Sequence, residues 1–173
     1  VILSPLGIPL ETAMYASKIA AKNGVKSVLN PAPATDLTGE NLESVFALTP
    51  NETEGRVCLG LSPNDPISDE NVATRLLQLG PQNVILTLGE NGVLWANSDG
   101  IKTFPALEVS VLDTVGAGDA FNSGFSVGIS EDKSIEESIA LGITAASIST
   151  QYRETIESYP KREEVDKRVT EII

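Results

Sequence analysis

At 173 residues the chain is long enough for one domain with a sizeable core, and 41% hydrophobic against 21% charged residues excludes a disordered or fibrous protein. Twelve basic against 24 acidic residues give a net charge of −12, which repels nucleic acid and anionic membrane and leaves phosphate binding to local glycine-rich turns. With one cysteine, Cys58, and no histidine, an internal disulfide and the usual zinc ligand sets are excluded, so a metal would be held by carboxylates, as magnesium is.

Residues 1–4 read as a buried strand. Residues 9–23 follow as a helix, with Leu10, Ala13, Met14, Ser17 and Ala20 on one face and Gly24 as its stop. A second strand over 25–29 makes this opening a βαβ unit with parallel strands. Residues 30–36 form a proline-stiffened loop at a strand end, read as structural, and a short polar helix-like piece leads to a strand over 45–48. Asn51 then begins a helix, and Glu54, on the same face, completes a capping box with it. Cys58 in this helix reads as a buried small hydrophobe.

A turn-rich connector over 61–67 ends at Ser68, which caps a scaffold helix carrying Val72, Leu76 and Leu79 inward. Strands are expected over 83–88, 92–96 and 101–104, the last two joined by a hairpin turn at Asp99-Gly100. Residues 107–112 read as another strand. Ser134 and Glu137 form a capping box for a long apolar helix, and residues 160–173 close the chain as an amphipathic helix with Val165, Val169 and Ile172 inward. Alternating β and α pieces predict a doubly wound α/β layer structure.

The chemistry concentrates in Asp113-Thr-Val-Gly-Ala-Gly-Asp-Ala-Phe121, a turn that feeds a helix. Gly116 and Gly118 allow backbone conformations and close approaches closed to other residues, and the helix start presents unpaired N–H groups and the positive end of its dipole. That combination is an anion cradle. Asp119, in the first turn, would repel a bound phosphate unless it has a task there, and accepting the proton of an attacking hydroxyl is such a task. The bland alternative is a capped helix behind a glycine turn.

This string resembles the second signature of the PfkB carbohydrate kinases, the ribokinase-like family. Asn30-Pro-Ala-Pro33, Thr49-Pro-Asn-Glu-Thr-Glu54 and Thr87-Leu-Gly-Glu-Asn-Gly92 resemble further motifs of the family, in its order. The resemblance covers essentially the whole chain but only the C-terminal portion of the family's length. The first residue, Val1, accords with an absent N-terminal portion that would supply much of the sugar pocket and the lid. It implies a three-layer α/β/α sandwich with a mostly parallel sheet, and transfer of the γ-phosphoryl group of ATP to a hydroxymethyl group of a small sugar, ribose in the branch it most resembles.

By the same resemblance Asp119 is the base, and Gly116, Ala117 and Gly118 form the anion hole. Asn51 contacts nucleotide phosphate, and Glu54 helps place magnesium through water. The loop of Thr87, Gly89, Glu90 and Gly92 lies along the nucleotide, and Ile143 offers an apolar contact to adenine. Asp113, Val115 and Ser158 correspond to ligands of a potassium-like ion, and pairing into a homodimer is a family habit. Two positions depart from the pattern. Gly7 stands where a sugar-contacting glutamate is usual, and Glu154 where the ion loop usually has glycine, a costly exchange if the backbone there needs positive φ.

A non-catalytic nucleotide-binding fragment is the alternative reading. A dinucleotide-binding redox domain ranks below both, because its fingerprint should follow the first strand and carry a third glycine where Phe121 stands. No apolar run of membrane-spanning length and no signal-peptide pattern occur, so a cytosolic protein with a small-molecule substrate and no nucleic-acid or membrane partner is expected.

Overall fold

A computed structural model describes residues 1–172 of the chain. The chain divides into two compact units, one of Val1–Leu88 with Leu94–Thr103, the other of Gly89–Val93 with the residues from Phe104 onward.

The first unit is built on a sheet. Strand β1 (Ile2–Pro5), helix α1 (Leu10–Lys22) and strand β2 (Ser27–Asn30) form the expected βαβ opening, with β1 and β2 parallel. Helix α1 buries Ala13, Met14, Ser17 and Ala20, the face set by the helical period. Strand β1 is less buried than its apolar sequence predicts, because it lies at the edge of the sheet and Leu3 stays 36% exposed. Strand β3 (Ala47–Leu48) pairs in parallel with β2, and β4 (Asn83–Thr87) in parallel with β3. Strands β5 (Val93–Asn97) and β6 (Gly100–Phe104) complete a six-stranded sheet in the order β1-β2-β3-β4-β5-β6. Strand β5 therefore neighbours both β4 and β6, across connections too short for a parallel crossover.

Helices α2 (Glu52–Cys58) and α3 (Asp69–Leu77) pack on β4 and on each other, over a core that includes Leu29, Leu48, Val72, Leu76, Val84 and Leu86. Ser68 Oγ accepts from the N–H of Asn71 and caps α3 as its sequence predicts. Arg56 stitches the connector to α2: its guanidinium donates to the carbonyls of Glu52, Asp65 and Ile67 and pairs with Asp69 at 2.9 Å. The piece expected to be helix-like before β3 is a set of turns. There the Leu42 N–H donates to the Leu79 carbonyl and Asn41 Oδ1 accepts from the Glu43 N–H, two bonds that divert the backbone from a helical ladder.

The second unit is helical. Helix α4 (Ala117–Ser130) packs along α5 (Ile135–Ser149), and Gly124 and Gly142 let the two approach closely enough that a Cβ at either would meet the partner at under 3.0 Å. Short helix α6 (Thr155–Ser158) and α7 (Arg162–Arg168) follow, and Val165 joins Leu141, Ala145 and Ile148 in a small core with Val169 against it. The last helix is thus shorter than expected; a 3-10 turn takes over at Val169–Glu171, and Ile173 lies outside the described residues. Residues 107–112 are not a strand. They find no place in the sheet order and are held at their end by the Leu112 and Asp113 N–H groups, which both donate to the Thr150 carbonyl, so Val111 and Leu112 stay exposed.

Candidate active site

In the second unit the segment from Asp113 forms a tight bend ahead of α4. Asp113 Oδ1 accepts from the Val115 N–H at 3.0 Å, and Gly116, the N-cap, takes the left-handed conformation at φ 80° and ψ −2°. A side chain at Gly116 would be strained by that φ and would also overlap Thr155 Cγ2 and stand 3.0 Å from the Tyr159 hydroxyl. The Ala117 N–H donates to the Thr114 carbonyl and that of Ala120 to the Gly116 carbonyl, while the N–H groups of Gly118 and Asp119 have no backbone acceptor among the described residues. Gly118 is exposed, and a Cβ there would meet nothing within 4 Å. Two N–H groups without backbone acceptors thus stand at a helix start on exposed residues, with Asp119 in the same turn.

The ion loop expected from sequence lies against this bend. Thr150 accepts from Leu112 and Asp113, Thr155 and Tyr159 cover Gly116, and Ser158 is buried with its hydroxyl donating to the Thr155 carbonyl at 2.7 Å. Glu154 does take a glycine-like conformation, φ 70° and ψ 151°. The loop keeps the positive φ that made a side chain there costly, and pays for it in strain. Burial, and secondarily the charge of Asp119, pushes the Tyr159 phenol up from its ordinary value, so it stays a protonated donor beside the bend. Tyr159 also lines a cavity of about 400 Å³ with Ala120, Ser123 and Gly124 of α4. Beyond it, Arg162 grips the Glu131 carboxylate bidentately and bonds Asp166 at 2.7 Å, fastening α7 to the far end of α4. Hydrogen bonds from Arg162 hold the Glu131 carboxyl below the usual carboxylate range. Sequence reading missed Thr155 and Tyr159; their contact with Gly116 joins segments far apart in the chain, and no local signal carries it.

Ile143 lies in α5 and is 3% exposed, leaving little of its side chain to meet a base. The loop after β4 carries Gly89 and Glu90 in a single 3-10 turn that ends on Gly92, whose N–H donates to the Gly89 carbonyl. Gly92 sits at φ 84° against the backbone of Phe104 and Ala106, where no Cβ fits.

In the first unit the carboxyl ends of β3 and β4 bring Asn51 and Thr87 together as a parallel bridge, and the Thr87 N–H donates to the Pro50 carbonyl. The capping box is present. Asn51 Oδ1 accepts from the N–H groups of Thr53 and Glu54, and Glu54 Oε2 accepts from the Asn51 N–H at 2.8 Å. The box sets the Glu54 carboxylate at a helix start. Among the described residues no three metal-ligating side chains gather, and one carboxylate without nitrogen or sulfur donors suits magnesium held largely by waters and substrate phosphates. Cys58, fully buried in α2, has its thiol pushed up to about 12 by burial and by the Glu54 charge, which makes it inert as a nucleophile. Among the described residues no helix is long and apolar enough to cross a membrane.

The family model described as pfkB family carbohydrate kinase matches residues 3–162. A ribokinase of Haemophilus influenzae is 39% identical, over 94% of this chain and 53% of that protein. The crystal structure of a Thermotoga maritima ribokinase superposes with a TM-score of 0.87 at 35% identity, covering 97% of this chain and 56% of that one. An Arabidopsis thaliana ribokinase, solved in complex with ribose and ATP, gives 0.86 at 29% identity, over 96% of this chain and 55% of that one. The chain spans about half the length of the relatives it matches. The fold is the α/β sandwich of these kinases. The chain belongs to the pfkB family of carbohydrate kinases.

Proposed function

We propose that this member of the pfkB family serves transfer of the γ-phosphoryl group of ATP to a hydroxymethyl group of a small sugar, with ribose the first candidate. The observation that carries the reading is the bend before α4, where Gly118 and Asp119 offer N–H groups without backbone acceptors and the Asp119 carboxylate stands exposed in the same turn. The acceptor oxygen attacks the γ-phosphorus as the bond to the β,γ-bridging oxygen breaks, and ADP leaves with that electron pair. Asp119 receives the proton of the alcohol, and the N–H groups of Gly118 and Asp119, with the turn held by Gly116 and Ala117, stabilise charge on the transferring oxygens. Preorganised donors of this kind are worth roughly 3–4 kcal/mol each in comparable sites.

Asn51, at the strand ends, binds nucleotide phosphate, and the loop of Thr87, Gly89, Glu90 and Gly92 lies along the nucleotide. Glu54 would be the protein carboxylate that helps place magnesium through water, and the ion would neutralise charge on the phosphates. Asp113, Val115 and Ser158 would offer oxygens to a potassium ion beside the bend, if Glu154 leaves the loop able to hold one. Asp119→Asn removes the proton acceptor without touching the N–H donors. Turnover should vanish while Mg·ATP binding, read by calorimetry, persists; a variant with near-normal turnover would sink the assignment.

A non-catalytic nucleotide-binding chain is the second reading, favoured by Gly7, which has no side chain to contact a sugar. ATP binding by calorimetry without product in a coupled kinase assay would decide for it.

A further inference from the structure

At the carboxyl ends of β2, β3 and β4 the parallel register aligns a row of polar side chains. Val28 stands beside Ala47 and Ala47 beside Asn83, so Asn30 and Thr49, each one alternation further on, fall on one face of the sheet. The bridge between Asn51 and Thr87 continues the same alternation. Asn30, Thr49, Asn51 and Thr87 therefore share a face at the strand ends, where open α/β sheets collect their ligands. The functional reading above uses Asn51 and Thr87 and leaves Asn30 out.

Asn30 is only 8% exposed, and its Oδ1 is buried with no hydrogen-bond partner among the described residues. Asn83, on the same face at the opposite end of its strand, shows what a structural amide does: its Nδ2 donates to the Phe46 carbonyl and its Oδ1 accepts from Trp95 Nε1. The Asn30 backbone is fixed by the Leu6 N–H on its carbonyl and by Pro31 after it, which keeps the side chain rooted at the strand end. A buried carbonyl oxygen without a donor is unfavourable, and evolution rarely leaves one unexplained.

The chemistry of the missing partner follows. Phosphate oxygens are acceptors and cannot serve another acceptor; an O–H group can. We propose that Asn30 is a further ligand-binding residue of this site, its Oδ1 accepting a hydrogen bond from an O–H group held at the strand ends, either a water carried by a divalent cation at Glu54 or a hydroxyl of the sugar acceptor. The inference rests on the kinase reading, and its test separates the two.

Asn30→Leu keeps the shape and removes the amide; Asn30→Asp keeps acceptor oxygens and adds charge. Thermal melting without ligands is combined with calorimetry of Mg·ATP, of magnesium at fixed ATP, and of ribose. Asn30→Leu should melt no lower than the wild type, since an orphaned acceptor has gone, yet lose about tenfold to a hundredfold in affinity for one ligand, the range for a hydrogen bond to a polarised group. Loss confined to Mg·ATP, with Asn30→Asp lowering the magnesium midpoint, identifies the cation-bound water; loss confined to ribose identifies the acceptor hydroxyl. If the wild type binds and Asn30→Leu binds both ligands equally well, the role of Asn30 is overturned, the more so if that variant melts lower, as loss of a purely structural water would make it. A wild type that binds neither ligand overturns the kinase reading and takes this inference with it.

Discussion

Two glycines of the bend look interchangeable in sequence, and the structure makes them respond in opposite ways to the same added methyl group. At Gly118 an Ala side chain would meet nothing within 4 Å, and no positive φ opposes it. Gly118→Ala therefore carries no steric penalty, and in the first turn of α4 it gains up to about 1 kcal/mol from reduced chain entropy in the unfolded state. At Gly116 the same methyl meets a φ of 80°, which costs about 1–2 kcal/mol, and overlaps Thr155 Cγ2 with the Tyr159 hydroxyl at 3.0 Å. Displacing the 154–159 loop brings the total for Gly116→Ala to about 3 kcal/mol. Function should invert part of this order. The methyl at Gly118 is carried by the same residue as one of the two N–H groups without a backbone acceptor, so if a phosphoryl group sits close to that turn Gly118→Ala should keep its stability and lose about tenfold to a hundredfold in Mg·ATP affinity or in turnover, as expected for hydrogen bonds to an anion. Urea unfolding gives the stabilities, and calorimetry with a coupled kinase assay gives the function. If Gly118→Ala binds and turns over like the wild type, the open space before α4 does not receive a phosphoryl group and the proposed site is wrong.

Glu154→Gly should stabilise the protein by about 1 kcal/mol, because glycine occupies φ 70° and ψ 151° without strain and gives back only part of that gain as unfolded-state entropy; a destabilised variant would mean that the Glu154 side chain makes a compensating contact. Gly7→Glu restores the glutamate usual in ribokinases at a position where a Cβ meets nothing within 4 Å, so stability should change by less than about 0.5 kcal/mol while ribose affinity rises; an unchanged ribose titration would point to a different acceptor. Cys58 supplies an alkaline signature. Its thiol holds its proton up to about 12 in the folded state against 9.0 in the unfolded chain, so its contribution is complete below 9.0 and is lost as pH rises through that window. Between these values the wild type should lose about 1.4 kcal/mol per pH unit relative to Cys58→Ala, and parallel pH profiles for the two would refute the burial argument.

What could be read from sequence divides along the distance over which the information acts. The caps of α2, α3 and α5 were legible because Asn51 with Glu54, Ser68, and Ser134 with Glu137 make their bonds within one turn. The face of α1 was legible because a helical period needs no partner to be recognised. Residues 107–112 have the apolar character of a strand, but a strand exists only if a neighbour accepts its hydrogen bonds, and here the neighbour is one carbonyl, that of Thr150. The same reasoning explains why the candidate site was more legible than some of the elements around it. Its cradles are helix starts, at Asn51 and at Gly116, and helix starts are encoded locally by caps and glycines. The layer beneath them is not. Thr155 and Tyr159 reach Gly116 from across the second unit, and Asn30 is left without a donor only because strand register buries it beside Thr49. A proline-rich loop read as structural can therefore begin with a residue whose side chain is unfinished until a ligand arrives, and only the packed sheet distinguishes the two cases.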